Sequence, residues 1–236
     1  MSPGGPTRVP DTPAIELRGV GRRFGERTAL KEVSVLLPRG ATLAVLGRNG
    51  AGKSTLLRIL ATLLRPHGGE VEVLGEPLPR RAFAVRPKIG LLGHEPLLYR
   101  DLTGRENLQY HARLYRLPED KVDRLLEAVG MELRGDDAVR SLSRGMVQRL
   151  AVCRTVLHEP ELLLLDEPRA NLDPAASDLV EPLIGGSNGR TRVLTSHDPE
   201  AAIKEADLVL GLRDGQPAFL AQPGGLDARQ VKELYA

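Results

Sequence analysis

The sequence predicts an α/β domain interrupted by a mainly helical insertion, and three observations carry that reading. An apolar stretch, ATLAVLG at 41–47, runs into a glycine-rich loop and then into TLLRILATLLR, whose apolar residues recur at helical spacing until Pro66 and Gly68-Gly69 end the run. From Thr103 to about Leu157 the pattern is helical throughout. Strand character then returns at ELLLLDEP, RTRVLTSH, ADLVLGLRDG and QPAFLA, so the helical block of roughly fifty to sixty residues sits inside a strand-bearing core.

Taken in order, residues 1–13, MSPGGPTRVPDTP, read as a flexible tail. AIELRGV, VSVLLP and ATLAVLG follow as strands, separated by turns at Gly21, Gly25 and Arg39-Gly40. EVEVLG marks a further strand pair. Within the insertion, Thr103 and Glu106 have the spacing of a capping box, Pro118 stands at a helix start, and the helix after LSRGM closes the block. The insertion is set at about 95–157, the whole domain at 14–215, and a strand with a short helix at 216–236.

With 236 residues and 41% hydrophobic content the chain can bury a substantial core. Its single cysteine, Cys153, excludes an internal disulfide, and no secretory signal pattern opens the sequence, so a reducing cytosol is the simplest compartment. No apolar run approaches the roughly 18 to 20 residues of a membrane span, which makes any membrane role depend on a partner. A net charge of +2 is too small to argue for nucleic acid by itself, and 3% aromatic residues leave little for bases to stack on.

Gly47-Arg48-Asn49-Gly50-Ala51-Gly52-Lys53-Ser54, followed by Thr55, satisfies the phosphate-binding P-loop pattern and lies between a strand and a helix, as its mechanism requires. Glycines let backbone N–H groups turn inward around phosphate oxygens, and the helix start adds unsatisfied donors. Lys53 is placed to reach the β and γ phosphates of a nucleoside triphosphate, and Ser54 to bind Mg²⁺. The buried strand LLLLDEP ends in two carboxylates: Asp166, suited to the metal's water shell, and Glu167, suited to polarising an attacking water.

GRNGAGKS, LSRGM, LLLLDEP, ANLD and TSH occur in the order and rough spacing of the ATP-binding subunits of ABC transporters, and the sequence resembles that family over about residues 14–215. The resemblance implies a P-loop NTPase core of the ABC ATPase type, with an inserted helical subdomain and an N-terminal antiparallel β subdomain. It implies ATP and Mg²⁺ as ligands and a head-to-tail homodimer. In such a dimer Ser143 and the Gly145 N–H clamp the γ-phosphate of ATP held by the other copy. It also implies integral membrane transporter subunits as partners, with the chain peripheral on the cytoplasmic face. By the same resemblance His197 contacts the γ-phosphate and orients water, Asp173 belongs to the loop coupling the two sites, and Phe24 stacks on adenine. Phe24 also reads as an ordinary core residue.

Three departures stand out. Arg144 and Met146 replace a glycine and a glutamine of the usual signature, and Arg144 either adds a cation near the phosphates or points to solvent. His94 stands where the family has a glutamine that meets Mg²⁺. A neutral imidazole accepts a hydrogen bond from metal-bound water, whereas a protonated one opposes the cation. His94 facing solvent or the membrane partner is the competing reading. GHEPLLY, DLTGRENL, LSRGMVQRLA and VLHEPELLLLDEP together resemble one branch of the family, the haem exporter ATP-binding (CcmA) proteins of cytochrome c maturation. An ATPase for another exporter, of drugs or polysaccharide, shares every nucleotide residue. A soluble ATPase acting on DNA or ribosomes is opposed by the single cassette and the short interval between His94 and Ser143. A nucleotide monophosphate kinase leaves LSRGM and His197 without a role.

Overall fold

The computed structural model describes residues 12–186 and 189–235, so the tail expected at 1–13 lies outside the described residues except for Thr12 and Pro13. The chain begins with β1 (Ile15–Phe24) and β2 (Arg27–Leu37), a hairpin turned at Gly25, and continues through β3 (Thr42–Leu46) into α1 (Lys53–Leu60). Next come β4 (Gly68–Val73), β5 (Glu76–Leu78), the single-turn α2 (Ala82–Val85) and β6 (Ile89–Leu92). The helical insertion holds α3 (Gly104–Leu114), α4 (Asp120–Ala128) and α5 (Arg144–Val156). The core resumes with β7 (Leu162–Asp166), α6 (Pro174–Ile184), β8 (Thr191–Thr195), α7 (Pro199–Lys204), β9 (Leu208–Arg213), β10 (Gln216–Ala221) and α8 (Ala228–Tyr235).

Two sheets result. The smaller runs β2-β1-β4-β5 and is antiparallel throughout; the larger runs β10-β9-β3-β8-β7-β6, parallel except for β10 at its edge. Because successive side chains on a strand point to opposite faces, the buried strands of the larger sheet feed two cores at once. Leu43, Val45, Leu162, Leu164, Val193 and Leu210 pack with α1 and the antiparallel sheet. Ala44, Leu46, Leu163, Leu165, Leu194 and Val209 pack with α5, α6 and the insertion. This explains why the sequence shows LLLL rather than an alternating pattern.

Most of the expected elements are present. Thr103 caps α3 as read from the sequence, its Oγ1 accepting from the Glu106 N–H at 3.0 Å while Glu106 Oε2 accepts from the Thr103 N–H at 2.8 Å. Pro118 instead precedes the helix: α4 opens at Asp120, and the Pro118 carbonyl accepts from the Lys121 N–H. The sequence reading left β6, α6 and α7 unassigned. The two helices carry one signal, Asp173-Pro174 and Asp198-Pro199. In each the aspartate accepts from a backbone N–H three residues on, at 2.8 Å and 3.0 Å, and the proline takes the first helical position.

Candidate functional site

The carboxyl ends of β3, β7 and β8 converge on one cleft, the usual place for a ligand on a parallel sheet. Its volume is about 490 Å³, and Asn49, Gly50, Gly52, Lys53, Ser54, Thr55, Asp166, Glu167, His197, His94 and Phe24 all line it. Eleven residues named from sequence are thus brought together from five separate stretches of chain. Arg27 and Ala29, on β2, line the same cleft and were not foreseen; no local motif marks them.

The P-loop takes its shape from glycine. Gly47 has φ 146° and a Cβ there would lie 2.3 Å from the Leu212 carbonyl oxygen; Gly52 has φ 107°, with a Cβ 2.5 Å from the Ala29 oxygen. A side chain at either position would displace the strands behind the loop. Lys53 is buried, with Nζ donating to the carbonyls of Gly47 at 2.6 Å and Arg48 at 3.1 Å. Burial lowers its pKa, opposed by the negative charges of Glu167 and Asp166. Arg48 and Ala51 line a neighbouring cleft of about 700 Å³ and are not among the residues lining the P-loop cleft.

Register sets the acidic end of the site. Asp166 on β7 pairs with Thr195 on β8, and the buried Thr195 hydroxyl donates to Asp166 Oδ1 at 2.7 Å while accepting the Glu167 N–H at 3.1 Å. Glu167 holds φ 54°, a left-handed backbone rarely taken by a side-chain-bearing residue. In that conformation its carboxylate Oε1 lies 2.7 Å from His197 Nε2. Thr195 was passed over in the sequence, although its place in LTSH, one strand from LLLLDE, was the available signal.

His94 follows β6 and borders the P-loop cleft together with two smaller clefts of about 320 and 200 Å³. Phe24 is 46% exposed at the tip of β1, with the Arg22 guanidinium 4.7 Å from its ring centre, so it is not a core residue. Ser143 is the N-cap of α5, its Oγ accepting from the Met146 N–H at 3.3 Å, and neither Ser143 nor Gly145 lines the P-loop cleft of its own chain. Arg144 faces the 320 Å³ cleft beside His94 and Asn171. Asp173 caps α6 and does not line the P-loop cleft.

A parallel sheet with a glycine phosphate cradle, a carboxylate pair at the neighbouring strand end and a helical insertion defines a nucleotide-binding domain. The ABC transporter family profile matches residues 30–170, and the chain belongs to that family. It is 42% identical over 83% of its length to the daunorubicin resistance ATP-binding protein DrrA3 of Streptomyces coeruleorubidus. It is 38% identical over 98% of its length to the phosphonates import ATP-binding protein PhnC of Anaeromyxobacter dehalogenans. It is 33% identical over 97% of its length to the Nod factor export ATP-binding protein I of Ralstonia nicotianae. The chain spans 64%, 51% and 73% of those proteins respectively. Among solved structures it resembles an ATP-binding subunit of an ABC transporter, with a TM-score of 0.84 and 26% identity over 94% of this chain and 100% of that one. It also resembles a dimeric ATP-binding cassette in a post-hydrolysis state bound to ADP and phosphate, with a TM-score of 0.80 and 25% identity over 90% of this chain and 100% of that one. These likenesses bear out the ABC ATPase fold with its antiparallel N-terminal sheet. The relatives' names speak of phosphonate import, drug resistance and Nod factor export, not of the haem export implied by the spelling of the sequence.

Proposed function

We propose that this chain is the ATP-hydrolysing subunit of an ABC transporter and that two copies close head to tail around ATP. The observation that carries the reading is a split one. Lys53, Glu167 and His197 share a cleft, whereas Ser143 and Gly145 stand outside it at an exposed helix start. A helix start with free N–H groups suits phosphate, and a second copy in the opposite orientation supplies one to each cleft.

In this reading the P-loop N–H groups and Lys53 hold the β and γ phosphates, and Phe24 offers a face to adenine. When bound, Mg²⁺ neutralises phosphate charge. The residues present fit it: Ser54 and Asp166 line the cleft with Asp166 oriented by Thr195, and His94 borders them. Ser54 and Asp166, with His94 at their border, would hold the ion together with oxygens of the nucleotide. Glu167 takes a proton from the attacking water as its oxygen bonds to the γ-phosphorus and the bond to ADP breaks; His197 holds Glu167 and the water in line. Ser143 and Gly145 of the partner subunit close the charge cage, and Asp173 lies on the loop between the sites. Loss of the γ-phosphate releases the clamp.

Residues 14–215 form the working domain, 95–157 its moving arm and 216–236 an appended strand and helix. Membership of the ABC transporter family supports integral membrane subunits as partners, with this chain peripheral on the cytoplasmic face; among the described residues no helix is long and apolar enough to cross a membrane. For cargo, His94 and the Arg144-Gly145-Met146 spelling support haem handling for cytochrome c maturation. The second reading is an ATPase for another exporter, of drugs or polysaccharide, and the names of the daunorubicin resistance and Nod factor export relatives support export of a cargo other than haem. The membrane proteins that co-purify from native detergent extracts separate the two. The dimer is tested by mixing Lys53→Ala and Ser143→Ala protomers. The heterodimer regains one working site of two, and no recovery of ATP hydrolysis above either parent sinks the shared-site reading.

A further inference from the structure

Two residues beyond Glu167 the chain carries Arg169, which belongs to no phosphate-binding motif and does not line the P-loop cleft. Its guanidinium grips Glu205 with both arms, at 2.7 and 3.2 Å, and reaches Glu181 at 2.7 Å. Glu205 is the C-cap of α7, the helix whose N-cap, Asp198, directly follows His197. The same Glu205 carboxylate accepts from Arg192 at 3.2 Å, a fully buried side chain on β8, the strand that leads to His197. The segments carrying Glu167 and His197 therefore meet twice. One meeting is the 2.7 Å contact between those two residues, and the other is the Arg169–Glu205 clasp.

We propose that Arg169 is a positioning residue that sets the distance between Glu167 and His197 by clasping Glu205 and Glu181. The turn it sits in needs such a hold. Glu167 and Asn171, on either side, both take left-handed backbone at φ 54° and 63°, and the Glu167 carbonyl accepts the Ala170 N–H at 3.0 Å. A turn with two such residues persists only where its surroundings over-determine it. On its other side the turn is held by Gln148 of α5, whose Nε2 donates to the Pro168 carbonyl at 3.1 Å. Arg169 thus anchors to α6 and α7 the same turn that Gln148 links to the helix starting at Ser143. Its planar fork matters, because a carboxylate held by two parallel bonds fixes orientation as well as distance. The charge balance is consistent: burial raises the Glu205 pKa, yet the hydrogen bond from Arg169 and the charges of Arg169 and Arg192 outweigh it and keep the carboxyl below its ordinary range.

The inference rests on the reading of Glu167 and His197 as the pair that handles water, so the test carries Glu167→Gln as a control. Phosphate release from saturating Mg-ATP by the full chain is measured for Arg169→Met, Arg169→Lys and Glu181→Gln, together with KM for ATP and thermal midpoints. Arg169→Met is expected to lower kcat by about 10- to 100-fold with KM changed less than about twofold, as a misplaced catalytic group does. Arg169→Lys recovers part of kcat, since charge returns without the fork. An Arg169→Met protein with kcat within twofold of wild type, while Glu167→Gln is inactive, overturns the positioning role; so does a loss shared equally between kcat and ATP affinity. An active Glu167→Gln overturns the reading beneath it. Should Arg169→Met fail to fold, Arg169→Lys and Glu181→Gln decide on the same split: reduced kcat at constant KM supports the clasp, and full kcat in both refutes it.

Discussion

Replacing Thr195 by valine removes one hydroxyl and little volume from a fully buried position, so its cost can be worked out bond by bond. The hydroxyl donates to Asp166 at 2.7 Å and accepts the Glu167 N–H at 3.1 Å. A hydrogen bond to a charged group contributes about 1.5–3 kcal/mol, and because Asp166 is half-buried the lower end applies. Leaving the Glu167 N–H without its acceptor costs about 1 kcal/mol more. Valine suits a buried strand, which offsets a few tenths. The net loss is about 2–2.5 kcal/mol, which for a chain of this length lowers the thermal midpoint by roughly 4–10 °C. The assay is a melt without nucleotide, paired with Mg-ATP titration. Affinity is expected to fall as well, because Asp166 and the Glu167 backbone lose their common anchor. A midpoint within 1 °C of wild type with unchanged affinity would refute the view that Thr195 organises the acidic end of the site.

Gly52→Ala places a methyl 2.5 Å from the Ala29 oxygen and 2.7 Å from Leu30 Cδ2 at φ 107°, so ATP binding is expected to vanish in a fluorescence titration while circular dichroism still shows a fold; retained binding counts against the rigid cradle. The Tyr235 hydroxyl on α8 accepts the Gly47 N–H at 3.3 Å, and Tyr235→Phe is expected to weaken ATP about two- to threefold by calorimetry, equivalent to about 0.5 kcal/mol; an unchanged Kd dismisses the contact. His111 and His158 have pKa values lowered below the ordinary 6.5 by burial and by the neighbouring Arg154 charge. A base with a lowered folded pKa takes its proton first in the unfolded chain, so this part of stability is complete above about pH 6.5 and is lost as pH falls below it. Denaturant midpoints of wild type are therefore expected to drop between pH 7.5 and 5.5, and a His111→Gln/His158→Gln protein to show a flatter profile; equal slopes would contradict the assignment.

Local chemistry decided what could be read without coordinates. Glycines at 47, 50 and 52, the lysine and serine after them, the capping Thr103 and the carboxylates ending LLLLDE each express a requirement met within a few residues of chain; in the structure Gly50, Gly52, Lys53, Ser54, Asp166 and Glu167 line one cleft and Thr103 caps α3. Helices α6 and α7 were legible in principle from their Asp-Pro starts. β6 was not, because IGLL is too short for its period to distinguish strand from helix, and only pairing with β7 makes it a strand. Tertiary structure alone decided the rest. The register of β7 on β8 puts Thr195 beside Asp166, the left-handed turn at Glu167 brings it to His197, and the packing of α6 and α7 delivers Glu181 and Glu205 to Arg169. These contacts join residues 12 to 36 positions apart. No sequence period specifies them, because they depend on how separate elements stack rather than on what any one segment prefers.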